Sequence, residues 1–182
     1  MINIDHIHWR HADFSLAIEG IQLANSHNLA IIGQNGSGKT LFLETLLGLR
    51  ASVKATVSVG DSNDARPQDS HRIQKSFKDQ SILAKTGAQL QNSAFPSAAS
   101  IADVLDLQKK LYGKLCNELE KVLDIRALQH KRYGNCSLGE KRRIDLFFAA
   151  AHRPQYFFLD EPLSGLDANY SDAFIGWWQS HY

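Results

Sequence analysis

Gly33-Gln34-Asn35-Gly36-Ser37-Gly38-Lys39-Thr40 is a complete G-x-x-x-x-G-K-[ST] sequence, the pattern of a phosphate-binding loop. The apolar residues 29–32 precede it and residues 41–43 follow, which predicts a buried strand, a glycine-rich turn and then a helix. The glycines allow backbone N–H groups to point inward, and the N-terminus of the helix adds partial positive charge. We therefore expect main-chain groups to bind an anion, with Lys39 reaching the β- and γ-phosphates and Thr40 placing its hydroxyl on Mg²⁺.

Composition limits the class of protein. The chain has 182 residues, 43% hydrophobic and 21% charged, with a formal net charge of +1, which fits about one ordinary globular domain. Balanced charge gives no overall attraction to nucleic acid or anionic lipid. Cys116 and Cys136 lack metal-ligand spacing and are too few for a disulfide framework, which favours a reducing compartment. We expect no signal peptide, no nucleic-acid partner and no direct membrane insertion, because no apolar run approaches about twenty residues.

Hydrophobic periodicity places the remaining elements. Alternation of apolar and polar residues predicts three short strands, over residues 2–9, 14–18 and 55–61. Apolar residues at helical spacing predict helices over residues 39–49, within 101–128 (interrupted near Gly113) and over about 140–152. Trp177 and Trp178 are interpreted as part of a helix face, and residues 73–90 have too weak a pattern to predict an element.

A second candidate site lies at the end of an apolar strand. Tyr156-Phe157-Phe158-Leu159 is followed directly by Asp160 and Glu161. A nucleotide site needs such acids opposite its phosphate loop, because one carboxylate can hold Mg²⁺ through water while the other orients and deprotonates an attacking water. We assign the first role to Asp160 and the second to Glu161.

Two charged clusters have ordinary structural explanations. Asp5, His6, His8 and His11 are dense enough to suggest a metal site, but His6 and His8 share one strand face with no cysteine nearby. A solvated strand face is therefore favoured. For the basic run of residues 141–143 a solvated face is also favoured, with proximity to a phosphate as the alternative.

These blocks together resemble the ATP-binding cassette (ABC) family. The run Cys136-Ser137-Leu138-Gly139-Glu140-Lys141-Arg142-Arg143 is similar to its signature motif L-S-G-G-[QE], and residues 157–167 are similar to its Walker B strand and D-loop. The resemblance covers residue 2 to about 172. It implies an α/β fold, a P-loop NTPase of the ABC type with a mostly parallel sheet flanked by helices, an N-terminal antiparallel β region and a helical subdomain at about 95–140. It also implies a single nucleotide-binding domain over residues 1–182.

The resemblance implies roles for individual residues, with ATP and Mg²⁺ as cofactors. Catalysis falls to Glu161, Gln91 and Lys39, with Gln89 as the alternative to Gln91. Metal binding falls to Thr40, Gln91 and Asp160. The residues implied in nucleotide binding are Trp9 (stacking on adenine), Gly33, Asn35, Gly36, Ser37, Gly38, Lys39, Thr40, Ser137, Gly139 and Asp167. Ser137 and Gly139 would contact the γ-phosphate bound to a second subunit, and Asp167 would report across that dimer.

Three departures from the family pattern stand out. Leu138 occupies the place of the first signature glycine, and its side chain would crowd the approach of a phosphate. Cys136 replaces the usual leucine. The family's switch histidine lies on a strand beyond the D-loop, whereas only residues 168–182 follow Asp167, and His181 is too near. We expect a C-terminally shortened cassette domain, lacking the strand that separates the phosphate-loop strand from the Walker B strand.

The resemblance implies an ATP-hydrolysing subunit that energises a separate transmembrane partner by ATP-driven dimerisation with a second cassette, at the inner face of the cell membrane. The alternative is a cassette that binds ATP and dimerises but hydrolyses poorly. A DNA-repair or translation cassette is disfavoured, because the spacing from Lys39 to Asp160 excludes long coiled coils and 182 residues exclude tandem cassettes. The transported substrate, its direction and the choice between homodimer and heterodimer stay open.

Overall fold

A computed structural model describes residues 1–11, 14–24, 27–50, 54–59, 76–91, 95–113 and 115–182. Its contacts divide the chain into two compact units, Met1–Leu83 and Ala84–Tyr182. The assignment of residues 1–182 to a single nucleotide-binding domain, with a helical subdomain at about 95–140, stays a prediction.

The first unit is built on an antiparallel sheet. Its strands are β1 (Ile2–His11), β2 (Phe14–Leu23) and β3 (Lys54–Val59), in the order β2-β1-β3. Ile4, Ile7 and Val59 are almost fully buried, and the pairing of β1 with β3 shifts register between Ile4 and His6, as at a β-bulge. The predicted strands before and after the loop are therefore confirmed. Its described residues also form two helices, α1 (Lys39–Leu46) and the short α2 (Gln80–Leu83).

The strand predicted immediately before the phosphate loop is wrong. Residues 29–32 lie in a described stretch without regular structure, and Ile32 is 94% exposed. A central strand of a parallel sheet needs hydrogen-bonding neighbours and cover on both faces. Among the described strands none pairs with residues 29–32, so their apolar sequence alone does not produce a strand.

The second unit contains a parallel strand pair and four helices. Strands β4 (Thr86–Gln89) and β5 (Tyr156–Leu159) pair in parallel, with Gln89 opposite Leu159. The helices are α3 (Ile101–Tyr112), α4 (Asn117–Val122), α5 (Leu138–Ala150) and α6 (Ala168–His181), with 3₁₀ turns at Arg126–Leu128 and Tyr133–Asn135. The helix break near Gly113, the strand at Tyr156 and the helical placement of Trp177 and Trp178 are confirmed.

Strand β4 was not predicted, because two of its four residues, Gly87 and Ala88, are poor strand formers. Its position against α5 explains the glycine. A Cβ at Gly87 would clash with the carbonyl oxygen of Ala149 and lie 2.7 Å from Cγ of Pro154. The strand and helix therefore approach so closely that a side chain at position 87 cannot be accommodated.

The core of the second unit lies between its helices and β5. Its most buried members include Leu119, Leu123, Ile125, Tyr133, Leu146, Phe147, Phe174 and Trp177. Phe157 of β5 stacks on Trp178 of α6, with ring centroids 4.7 Å apart. Within the described residues, no helix combines the length and the apolar character that crossing a membrane requires.

Candidate functional site

The phosphate loop has the backbone geometry that its glycines predict. Gly36 and Gly38 have φ values of 81° and 96°, in the left-handed region that favours glycine. Gly38 is the N-cap of α1, and the Ser37 N–H donates to the Gln34 carbonyl at 3.2 Å. A Cβ at Gly33 would lie 2.7 Å from Ser37 Oγ. The loop therefore turns tightly and ends at the N-terminus of a helix, where backbone N–H groups have no intrahelical partners.

Lys39 is folded back over this loop. Its Nζ donates to the carbonyl oxygens of Gly33 at 2.8 Å and Gln34 at 2.9 Å. The ammonium group is thus held against the loop carbonyls, next to the positive end of the α1 dipole. A phosphate entering the loop would find this cation and the helix N-terminus on the same side.

Trp9 is connected to the loop through one aromatic ring. The Trp9 and Phe14 ring centroids are 5.6 Å apart. Cζ of Phe14 lies 3.0 Å from the position that a Cβ on Gly38 would occupy. An aromatic surface is therefore close to the phosphate loop, as an adenine-stacking residue requires, and the role of Trp9 stays a prediction.

Asp160 and Glu161 follow β5 in very different environments. Asp160 is buried, and its backbone N–H donates to the Gln89 carbonyl at 2.9 Å. Glu161 is exposed and has a φ of 50°. A non-glycine residue in the left-handed region costs on the order of 1–3 kcal/mol, and such residues concentrate at functional sites. The strained backbone thus presents the Glu161 carboxylate beyond the end of the strand.

The two glutamines proposed for one role are clearly different in the structure. Gln89 is 2% exposed within β4, and its Nε2 donates to the Leu90 carbonyl at 3.1 Å. Gln91 is exposed just beyond the end of β4. Because β4 and β5 are parallel with Gln89 opposite Leu159, Gln91 and the acidic pair leave the sheet at the same edge. This geometry favours Gln91 over Gln89.

The signature segment forms a capping box at the start of α5. Ser137 Oγ accepts a hydrogen bond from the Glu140 N–H at 3.2 Å, and Glu140 Oε2 accepts one from the Ser137 N–H at 2.9 Å. Lys131 Nζ also lies 2.7 Å from Glu140 Oε1. The hydrogen bond from Lys131 and that from the Ser137 backbone lower the pKa of Glu140. Ser137 and Gly139 therefore stand at a well-ordered helix N-terminus.

Leu138 lies at the exposed tip of α5. Its side chain is largely exposed, and its Cδ2 is 3.3 Å from the position of a Cβ on Gly165. A Cβ on Gly139 would lie 3.0 Å from the Gly165 carbonyl oxygen. The start of α5 thus packs against the segment before Asp167, which is exposed at the N-cap of α6. Leu138 thus places an apolar side chain beside the start of α5 and the segment that contains Gly165.

The interpretation of residues 141–143 as a solvated basic face is wrong for two of the three. Arg143 is buried, donates to the Leu123 carbonyl at 3.1 Å and lies over the Tyr170 ring at 4.2 Å. Arg142 donates to the carbonyl oxygens of Ser164 and Leu90. The side-chain directions on α5 decide these contacts, and the sequence carries no signal for them beyond the charge itself.

His6 and His8 of β1 contact the neighbouring strands, while the side chain of His11 lies outside the described part of the structure. His8 Nε2 lies 3.1 Å from Glu19 Oε1 on β2, and His6 Nε2 lies 3.5 Å from the Thr56 hydroxyl on β3. Over the described part of the chain, no three His, Cys, Asp or Glu side chains group closely enough to hold a metal ion. His181 stacks on Trp177, with its Nε2 3.2 Å from Glu118.

Comparison with known proteins identifies relatives of this arrangement. The ABC transporter family model matches residues 20–164. The trehalose import ATP-binding protein SugC of Mycobacterium tuberculosis is 28% identical over 171 residues, covering 92% of this chain and 42% of that protein. The zinc uptake system ATP-binding protein ZurA of Listeria monocytogenes is 29% identical over 185 residues, covering 96% and 68%.

A solved structure of an ATP-binding subunit of an ABC transporter superposes with a TM-score of 0.76 at 16% identity, covering 99% of this chain and 74% of that one. This similarity confirms the P-loop NTPase fold of the ABC type. The chain nevertheless spans less than half the length of SugC and about two thirds of ZurA.

Proposed function

Because the chain belongs to the ABC transporter family, we propose that it is an ATP-binding and ATP-hydrolysing subunit that energises a separate transmembrane partner. The observation that carries the proposal is the phosphate loop, where the Lys39 ammonium is bonded to the carbonyls of a glycine-rich turn at a helix N-terminus. This arrangement suits the phosphates of ATP, since cation, backbone N–H groups and helix dipole all favour negative charge.

Each residue has a defined task in this proposal. Lys39 exchanges a loop carbonyl for a phosphate oxygen, Gly33, Asn35, Gly36, Ser37 and Gly38 provide the cradle, and Trp9 stacks on the adenine. Thr40, Gln91 and Asp160 hold Mg²⁺, which neutralises phosphate charge when bound. Glu161 orients the attacking water and accepts its proton. The side-chain oxygens of Thr40, Gln91 and Asp160 are of the kind that Mg²⁺ prefers as ligands.

The partners follow from the same proposal. Ser137, Gly139 and Asp167 contact the nucleotide of a second cassette, in a homodimer or heterodimer closed by ATP. The subunit acts at the cytoplasmic side of the membrane, attached through its transmembrane partner. The names of its relatives range from trehalose import to zinc uptake, so we assign the choice of cargo to that partner.

A second function is favoured by one observation. Leu138, 69% exposed, stands where the family signature has a glycine and next to Gly165. Its side chain would hinder the approach of a second subunit's phosphate. The chain would then bind ATP and dimerise as a nucleotide-gated module that hydrolyses poorly, or serve as the weaker half of an asymmetric pair.

A nucleotide titration tests the binding step. We expect Lys39→Ala to weaken binding of Mg²⁺-ATP by about 10-fold to 100-fold, because a charge-assisted hydrogen bond contributes about 1.5–3 kcal/mol. Lys110→Ala on α3 removes an exposed lysine outside the phosphate-loop sequence and is the matched control. Equal affinity of the Lys39 and Lys110 variants would show that the loop does not bind the nucleotide.

A further inference from the structure

Arg142 connects two segments that carry proposed catalytic residues. Its Nε donates to the Ser164 carbonyl at 3.2 Å, and its Nη1 donates to the Leu90 carbonyl at 3.3 Å. Leu90 directly precedes Gln91, and Ser164 lies three positions after Glu161. A guanidinium can make both bonds because its N–H donors diverge in one rigid plane.

The Leu90 and Ser164 carbonyls belong to backbone segments that make further hydrogen bonds. The Leu90 carbonyl also accepts from Gln89 Nε2, and the Gln89 carbonyl accepts from the Asp160 N–H. On the other side, the Ser164 N–H donates to the Glu161 carbonyl at 3.0 Å. The Ser164 N–H therefore closes the turn that begins at the strained Glu161. The Ser164 carbonyl accepts the hydrogen bond from Arg142.

Arg142 lies in the first half of helix α5, where the backbone is well ordered. The N-terminus of the helix is ordered by the capping box of Ser137 and Glu140. One residue further along, Arg143 is buried and bonded to the Leu123 carbonyl. Arg142 thus extends from a rigid helix to two irregular segments that lie at one edge of the β4–β5 pair.

We propose that Arg142 is a positioning residue for ATP hydrolysis, fixing the Gln91 segment and the Glu161 turn relative to each other through the Leu90 and Ser164 carbonyls. The inference rests on the proposed hydrolytic function. Both of these hydrogen bonds join Arg142 to main-chain carbonyls. Loss of the Arg142 side chain should therefore impair the chemical step rather than nucleotide binding. A displacement of about 1 Å at a catalytic group can cost about 100-fold in rate.

The kinetic test compares Arg142→Ala, Arg142→Lys and Lys141→Ala. Lys141→Ala removes the same charge from the neighbouring position while keeping both carbonyl contacts. We expect Arg142→Ala to lower kcat by about 10-fold to 100-fold with the Kd for Mg²⁺-ATP unchanged within about twofold. Arg142→Lys should recover part of the rate, and Lys141→Ala should retain it. In a Glu161→Gln background the Arg142→Ala change should lower kcat by a smaller factor than in the wild type, because part of its effect acts through Glu161.

Hydrogen exchange tests the positioning without requiring turnover. The Ser164 and Leu166 N–H groups donate within the turn after Glu161, and we expect them to exchange about fivefold faster in Arg142→Ala than in Lys141→Ala. Unchanged exchange and an unchanged kcat would each overturn the proposal. Absence of ATP hydrolysis in the unmodified chain would reject the hydrolytic function, while faster exchange would still identify Arg142 as the residue that orders the turn.

Discussion

The Tyr133 hydroxyl lies 2.8 Å from Oδ1 and 3.0 Å from Oδ2 of Asp145 and donates a hydrogen bond to this buried carboxylate. The contact joins the 3₁₀ turn before the signature segment to the middle of α5. Burial raises the pKa of Asp145 to about 6, although the hydrogen bond from Tyr133 and the nearby charges of Arg142 and Lys141 act in the opposite direction. A titrating group therefore lies inside the core that supports the candidate site.

This raised pKa predicts a pH-dependent stability. In the unfolded chain the carboxyl has a pKa of about 3.9, so the folded state favours the protonated form. That stabilisation is complete below about pH 4 and is lost as the pH rises through about 6. We expect the wild type to lose about 2–3 kcal/mol relative to Asp145→Asn between pH 4 and pH 7, measured by urea unfolding. If the free energy of unfolding of the two proteins changes in parallel with pH, the raised pKa of Asp145 is contradicted.

Two glycines in different surroundings should respond in opposite ways to substitution by alanine. Gly87 lies in the close contact of β4 with α5, and Gly176 lies in α6 with open space around it. We expect Gly87→Ala to destabilise the protein by about 1–3 kcal/mol, because the new Cβ would clash with the Ala149 carbonyl. Gly176→Ala should stabilise by up to about 1 kcal/mol through helix propensity. Equilibrium unfolding of both variants provides the comparison, and a Gly87→Ala protein as stable as wild type would refute this packing.

Ser137 has a structural role that is separable from its proposed contact with a phosphate. Ser137→Ala should cost about 1 kcal/mol in the free energy of unfolding, because the Glu140 N–H loses its partner. Asn is an equally good N-cap, so Ser137→Asn should keep the stability. If the hydroxyl also contacts the γ-phosphate, ATP-dependent dimerisation should weaken in both variants. Normal dimerisation in Ser137→Asn would leave Ser137 with the capping role alone.

Leu138 provides a test of whether the start of α5 is hindered, which is the observation behind the second proposed function. We expect Leu138→Gly to strengthen ATP-dependent dimerisation by about tenfold, a difference of about 1.4 kcal/mol, because it opens the approach to the start of α5. Sedimentation velocity in a Glu161→Gln background, with Leu138→Ala as an intermediate, measures the effect. An identical dimerisation constant for all three side chains would remove the argument for a hindered site.

Sequence motifs predicted the elements that depend on local pattern. The phosphate loop, α1 and the apolar strand before Asp160 all follow from residue types at fixed spacing. The strand at residues 29–32 failed because strand formation depends on neighbours that the apolar run itself does not provide. Strand β4 was missed because Gly87 is there for close packing, and glycine is a weak strand former.

The side-chain contacts of the candidate site were less predictable. The sequence predicted that Asp160 and Glu161 follow an apolar strand, but not the burial of the first or the left-handed backbone of the second. Arg142 and Arg143 looked like one basic surface, yet their directions on α5 separate a buried structural arginine from one that contacts two loops. Such differences arise from packing, which periodicity alone does not encode.

Steady-state hydrolysis of Mg²⁺-ATP by the wild type, Glu161→Gln and the exposed control Asp172→Asn tests the central claim most directly. A general base contributes about 10²-fold to 10⁴-fold to a rate. The account predicts turnover in the wild type and the control, and a loss of at least about 100-fold in Glu161→Gln with ATP binding retained. Equal turnover in all three proteins, or ATP binding without turnover in the wild type, would contradict the hydrolytic function.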